Sequence, residues 1–268
     1  MRALSSERGT TEVEPISRPQ NPVVLRARAF AARFFHQKRA VQRTPRPIVS
    51  FTFDDFPRSA LTVGGRILAE HGVRGTYYTA MGLLGQRTVV GDMFDGDDLD
   101  ELVAAGHELA CHTVGHTRCS MLTPAGVVAS CEENQRQIMG ALGGRRPTSF
   151  SFPEGVVTAS AKKALESIYQ TCRTIEPGIN RDPVDAGLLR ANPVYSRRAP
   201  SKLHKVILKN QKMNGWLILY THDVTPNPSA YGCTPQEFRE LVRCAVESGA
   251  DVLPVADAWA RFRPINKL

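Results

Sequence analysis

No apolar run in this 268-residue sequence approaches the ~20 residues that a membrane-spanning helix needs. None of its six cysteines (Cys111, Cys119, Cys131, Cys172, Cys233 and Cys244) forms a Cys-x-x-Cys pair. The stretch Met1 to Gln20 is polar and carries Glu7, Glu12 and Glu14, unlike a secretory signal. A disulfide framework is therefore not expected, and the cysteines read as small buried hydrophobes. Cytoplasmic residence is the matching expectation. A charge excess is missing from the body of the chain as well. Of the net +8, residues 1–47 hold +7, which leaves +1 for residues 48–268. That near-neutral body argues against a nucleic-acid partner. What remains is a composition of 42% hydrophobic and 22% charged residues, that of a soluble α/β domain long enough to bury a real core.

The basic end is expected to be a separate piece: a largely disordered tail over residues 1–44, ahead of a catalytic domain over 45–268. Within the tail, residues 23–39 have helical periodicity, with Val23, Ala27, Phe30, Ala31 and Phe34 on one face and Arg26, Arg28, Arg33 and Arg39 beside it. Such a helix suits peripheral contact with an anionic membrane at its inner face. Packing on its own domain is the favoured use, because Phe35 falls off the apolar face. Pro45 and Pro47 mark the boundary.

After Pro47, short apolar runs alternate with helical patterns. Strands are expected at Ile48–Phe53, Gly75–Thr79, His107–Cys111, Ser149–Phe152, Gln170–Ile175, Trp216–Thr221 and Asp251–Leu253. Helices are expected at Ala60–His71, Asp98–Ala105, Pro124–Leu142, Ala159–Ser167, Lys202–Asn210, Pro235–Ser248 and Pro254–Arg261. No internal repeat is visible. This β-α order predicts a distorted (β/α) barrel with seven or eight parallel strands. Asp54 and Asp55, His112, Pro153 and His222 each follow a strand, so they should converge at the carboxyl-end mouth where such folds place active sites.

The residue types at that mouth have a chemistry. One Asp and two His at i, i+4 spacing (His112 and His116) make a ligand set that leaves positions open on a divalent metal. The remaining Asp beside the metal is a general base. Two acids after a buried apolar run exceed what a helix cap requires. His222, at the end of an apolar strand and followed by Asp223 as a candidate orienter, suits a general acid near neutral pH.

Together, Thr52-Phe53-Asp54-Asp55, Gly106-His107-Glu108-Leu109-Ala110-Cys111-His112-Thr113-Val114-Gly115-His116, Phe152-Pro153-Glu154-Gly155 and Leu219-Tyr220-Thr221-His222-Asp223 resemble, in order, four motifs of the NodB-homology polysaccharide deacetylases of carbohydrate esterase family four. The resemblance runs from about Ile48 to Trp259 and is nearest to chitooligosaccharide deacetylases. It implies that Asp54 is the base and His222 the acid. It gives Asp55, His112 and His116 the metal, zinc by default with cobalt or nickel as substitutes. Pro153, Glu154 and Leu219 are implied to frame the oxyanion and substrate, the Glu154 N–H serving as an oxyanion donor. The implied reaction is N-deacetylation of an acetylated amino-sugar oligosaccharide or glycan. Deformylation or deacetylation of a lipid-linked sugar and a sugar-binding pseudoenzyme are the alternatives. The sequence departs from the family at its third motif, where Ser151 stands near the position of an arginine that pairs with the base and Glu154 replaces a tyrosine. Arg190 is the candidate replacement for that arginine. An Asp-x-x-x-Trp fourth motif is not recognisable.

Overall fold

The apolar run after Pro47 becomes the central strand of a parallel sheet, buried along almost its whole length. The computed structural model describes residues 30–35 and 37–265. Its strands, in chain order, are β1 (Arg39–Gln42), β2 (Ile48–Asp55), β3 (Thr76–Thr79), β4 (Arg87–Thr88), β5 (Gly91–Asp92), β6 (Glu108–Cys111) and β7 (Ser149–Ser151). They continue as β8 (Thr171–Arg173), β9 (Val184–Asp185), β10 (Asn192–Pro193), β11 (Trp216–Thr221), β12 (Asp251–Val252) and β13 (Phe262–Pro264). The helices are α1 (Arg66–Glu70), α2 (Gly96–Ala104), α3 (Pro124–Ala141), α4 (Ala159–Leu165), α5 (Leu203–Met213), α6 (Pro235–Glu247) and α7 (Val255–Trp259). Among the described residues, eight strands form one parallel sheet in the order β10-β11-β2-β3-β6-β7-β8, with β12 also on β2. The curled sheet is the expected distorted (β/α) barrel.

Strand alternation divides the barrel into two faces. Val49, Phe51 and Phe53 of β2 join Tyr77, Leu109, Cys111, Phe150 and Cys172 in the core beneath the helices. Phe238 of α6 meets the rings of Phe51 and Phe53 at 5.4 and 5.5 Å. The residues of opposite parity are largely polar yet buried: Ser50, Thr52, Asp54, Thr76, Ser149, Ser151, Thr171 and Arg173. For several of them, partners inside the barrel keep this tolerable. Ser50 Oγ accepts from Trp216 Nε1 at 3.0 Å, and Thr52 Oγ donates to the Leu219 carbonyl at 3.1 Å. Glu108 Oε2 accepts from Thr76 Oγ at 2.7 Å and from the Ala256 N–H in the first turn of α7 at 2.9 Å.

A small antiparallel sheet, β13-β1-β9, covers one side of the barrel. Its Ala40, Val184 and Phe262 share a second core with Trp216, Ile218 and Tyr220. The strand Arg39–Gln42 falls within the expected tail, so the 44/45 boundary does not separate it from the body. Its alternating burial is completed by β9 and β13, both too short to stand out in sequence. The expected helix over 23–39 lies partly outside the described residues. Where described, only Phe30 and Ala31 are helical, and a turn follows. Lys162 Nζ ends that turn by donating to the carbonyls of Ala32 and Phe35 while pairing with Asp185 at 2.6 Å. Ala32 is the buried residue, whereas Phe30, Phe34 and Phe35 are exposed. All six cysteines are free.

His107 closes the start of β6 against β3. Its Nδ1 accepts the Gly75 N–H at 3.0 Å, and burial, with Arg74 nearby, lowers its pKa to about 4. The unfolded chain binds this proton at about 6.5, the folded chain only near 4. Stability should therefore fall as pH drops from about 6.5 to about 4, by about 3 kcal/mol from this group. Urea titrations across that window should show the loss, and His107→Asn, which keeps an acceptor without the titration, should flatten the slope there.

Candidate active site

Parallel strands bring their carboxyl ends to one level, and register fixes which residues meet. Asp54 lies beside Tyr78, Asp55 beside Thr79, Thr79 beside Cys111, Ser151 beside Arg173, and Thr221 beside Phe53. Just past these ends a cavity of about 350 Å³ opens, lined by Asp54, Asp55, His112, His116 and His222, with Glu154, Tyr195, Tyr220 and Tyr231.

Alternation would send Asp54 and Asp55 to opposite faces. Both reach the cavity because the backbone turns left-handed at Asp55 and Phe56, with φ of 63° and 65°. The same conformation recurs at Thr113, His116 and Glu154. Non-glycine residues held this way cost on the order of 1–3 kcal/mol each, and they collect at functional sites. The loop carrying His116 is clamped by neighbours. Thr113 Oγ accepts the Thr117 N–H at 3.0 Å, and the Val114 carbonyl accepts the Gly82 N–H at 2.7 Å. Gly82 is needed there, because a Cβ would lie 2.6 Å from that carbonyl oxygen.

Asp55 Oδ1 lies 3.2 Å from His116 Nε2 and 3.6 Å from His112 Nε2. It is buried and has no hydrogen-bond partner. His112 Nδ1 stands 2.8 Å from the Ser151 carbonyl, which only accepts, so Nδ1 carries the proton and the Nε2 lone pair faces Asp55. Burial, with His116 and Arg173 nearby, brings the His112 pKa down to about 4 against the pull of Asp54 and Asp55. The His112 Nε2 lone pair and the Asp55 carboxylate thus face one another with no proton between them, an arrangement that calls for a cation. The three ligand atoms lie within 4.8 Å of one another. Their spacing suits neighbouring ligands about 2.1 Å from one ion. The residues present fit a divalent metal.

Asp54 is fully buried and pairs with the guanidinium of Arg173, itself fully buried. Burial pushes the Asp54 pKa up, but Arg173, His112 and His222 outweigh it and hold the carboxyl below its usual range. The Arg173 guanidinium is also flanked by the rings of Tyr78 at 4.8 Å and Tyr220 at 5.0 Å. This residue went unnoticed in sequence. Its signal was a charged side chain of inward parity within the buried run Thr171-Cys172-Arg173. The replacement expected at Arg190 is not made: Arg190 reaches Glu176 at 3.4 Å and the Pro177 carbonyl at 3.1 Å, away from Asp54.

His222 faces the metal set from β11, with Nε2 3.9 Å from Asp55 Oδ2. Its Nδ1 meets the Tyr231 carbonyl at 3.3 Å, which leaves Nε2 toward the cavity. Asp223 is not its orienter. The Asp223 carboxylate instead accepts the N–H and hydroxyl of Ser229 at 2.7 and 2.5 Å, folding the loop that returns Tyr231 to His222. Gly232 passes so close to that carboxylate that a Cβ would sit 2.4 Å away. Glu154 lines the cavity and pairs with Arg118 across its mouth. Pro153 and Leu219 are buried outside it. Leu219 has outward parity and joins the core under the helices, so Tyr220 takes the inward place.

Residues 41–171 match the family model of polysaccharide deacetylases. No curated protein matches the chain. Among solved structures, the fold is similar to the carbohydrate esterase domain of a multidomain xylanase from the hindgut metagenome of Trinervitermes trinervoides. That match has 16% identity and a TM-score of 0.56 over 81% of this chain and 91% of that one. It is also similar to a family 4 acetyl xylan esterase from Clostridium thermocellum in complex with a cobalt ion, at 17% identity and a TM-score of 0.55 over 80% and 90% of the two chains. A family 4 pseudoenzyme from Bacillus anthracis matches at 14% identity and a TM-score of 0.54 over 81% and 67%.

Breaking the buried pair from one side leaves an uncompensated charge, so Arg173→Met should cost about 3–5 kcal/mol in denaturant unfolding. The double variant Arg173→Met with Asp54→Leu should recover a good part of that loss.

Proposed function

We propose that this chain, which belongs to the polysaccharide deacetylase family, is a metal-dependent hydrolase that removes N-acetyl groups from an amino-sugar glycan. One observation carries the reading. A buried ionised carboxylate, Asp54, and an imidazole, His222, flank a set of three converging lone-pair donors in one cavity. Asp55, His112 and His116 would hold the ion, with zinc as the expected metal. When bound, the ion supplies Lewis acidity, which polarises a carbonyl and lowers the pKa of water.

The protein's own groups then have separable work. Asp54, kept ionised by Arg173, accepts a proton from the attacking water. The Glu154 N–H, offered from a left-handed residue at the cavity wall, donates to the developing oxyanion. His222, its Nδ1 proton engaged by Tyr231, delivers a proton from Nε2 to the nitrogen as the C–N bond breaks and acetate leaves. The complete set of five side chains favours an active enzyme over a sugar-binding pseudoenzyme.

Asp54→Asn and His222→Ala should each lower acetate release from chitooligosaccharides by ~10²–10⁴-fold while zinc stays bound. His112→Ala should lose the zinc itself, measured by titration calorimetry. Turnover by chelated, metal-free protein at the full rate would overturn the reading.

A lipid-linked sugar at a membrane surface is a second reading, favoured by the exposed Phe30, Phe34 and Phe35 beside Arg33. Co-sedimentation with anionic vesicles that disappears in Phe30→Ser/Phe34→Ser would support it. Equal recovery of both proteins in the supernatant would remove it.

A further inference from the structure

Arginines gather around this cavity in excess of the acids that face them. The Arg197 guanidinium lies 5.1 Å from the Tyr231 ring and 5.8 Å from the Tyr195 ring, and Arg198 lies 5.6 Å from Tyr195. Both tyrosines line the cavity, and the Tyr231 ring is 5.6 Å from that of His222. Arg197 is therefore held at the rim of the cavity, its guanidinium beside two aromatic rings. A groove of about 630 Å³ meets the cavity at Ile175. Arg33, Arg181 and Arg190 line that groove. Glu176 pairs with both Arg33 and Arg190 and neutralises only one charge. Arg181, Arg197 and Arg198 have no carboxylate partner among the described residues. All three are exposed.

Exposed arginine is commonplace, but two features here point to a ligand. Cation–π contact with Tyr195 and Tyr231 holds the Arg197 guanidinium at the rim of the cavity, whereas a surface arginine without such contacts wanders. The excess also extends from the cavity rim into an adjoining groove of the size that takes an extended ligand. Neutral chitin-like chains offer a guanidinium fork only uncharged hydroxyl and amide acceptors. Carboxylate and phosphate match it by paired charge-assisted hydrogen bonds.

Resting on the proposed deacetylation, we infer that the glycan is anionic: the sugars flanking the N-acetylated unit carry carboxylate or phosphate groups, held by Arg197 on the His222 side and by Arg181 in the groove. Uronate and phosphate share this chemistry, so the test has an arm for each. Titration calorimetry on Asp54→Asn protein, which retains the whole surface, compares three oligosaccharides of equal length. The first is a neutral N-acetylglucosamine oligomer, the second alternates N-acetylglucosamine with glucuronate, and the third is an N-acetylglucosamine oligomer bearing phosphate. At least one anionic arm should bind about tenfold tighter than the neutral one, by a margin that shrinks with added salt. The arm that does so identifies the charged group. The margin should fall to within about threefold when Arg181→Gln and Arg197→Gln are combined, and should survive Arg136→Gln on the far surface of α3. Equal affinity for all three ligands overturns the inference, as does a preference that persists in the double variant. Acetate release by the wild-type protein is measured separately, so a failed deacetylation and a failed charge preference give different results.

Discussion

The pairing of Arg173 with Asp54 is the constraint on which the rest of the site depends. Taking two charges out of water is expensive, and the cost is recovered only where geometry and further partners are good. The interior of this barrel is arranged for that. The guanidinium lies between the rings of Tyr78 and Tyr220, and the carboxylate lies at the end of a strand whose inward residues, Ser50 and Thr52, are already polar and bonded. The apolar packing that holds β2 in place is on its other face, through Phe51, Phe53 and Phe238. The strand thus separates stability from chemistry by parity alone. One face anchors it to the helices while the other presents charge at the mouth.

A second constraint acts where the strands end. Regular extended backbone delivers one side chain per pair to the interior, yet the site needs Asp54 and Asp55 together. Left-handed turns at Asp55 and Phe56 supply the second, and those at Thr113, His116 and Glu154 shape the walls opposite. Such conformations persist only where surrounding contacts over-determine them. Here the Gly82–Val114 contact and the Thr113 cap provide that support for the histidine loop, and the Asp223–Ser229 clamp holds the loop that orients His222. Asp223 therefore serves His222 at one remove, through the backbone of Tyr231.

Much of this was legible from the chain. Short apolar runs located the parallel strands, and the run Trp216–Thr221 matches its strand end to end. The ligand set Asp55, His112 and His116 was visible because its members are close in sequence or sit in short motifs. Three things were hidden, for physical reasons. The strands β1, β9 and β13 are two to four residues long, and their register comes from one another rather than from a local pattern. The start of β11's partner loop gave Asp223 the look of an orienter, although its carboxylate is consumed by a turn that sequence does not reveal. The resemblance implied a substrate-framing place for Leu219, but a motif does not reveal parity, and it is Tyr220 that lines the cavity.

The fourth hidden element, Arg173, shows what a barrel conserves physically when its sequence drifts. Asp54 has a guanidinium beside it, and in the resembling family the third motif supplies one from the strand that here ends in Ser151. In this chain Ser151 and Arg173 are register partners on adjacent parallel strands, both of inward parity. A serine leaves space at its own position and a long side chain from the next strand reaches the same carboxylate. Parallel register makes this exchange natural, because neighbours at one level differ by about a strand spacing, ~4.8 Å, which an arginine spans easily. Arg190, seventeen residues farther along, was the nearer guess by motif but lies at a groove wall, tied to Glu176. A missing catalytic partner in such a fold is therefore better sought one strand over at matching level and parity than farther along the chain. By that rule the charged residue inside the buried run Thr171-Cys172-Arg173 is the one to choose, since a lone buried guanidinium would be unaffordable without a carboxylate such as Asp54.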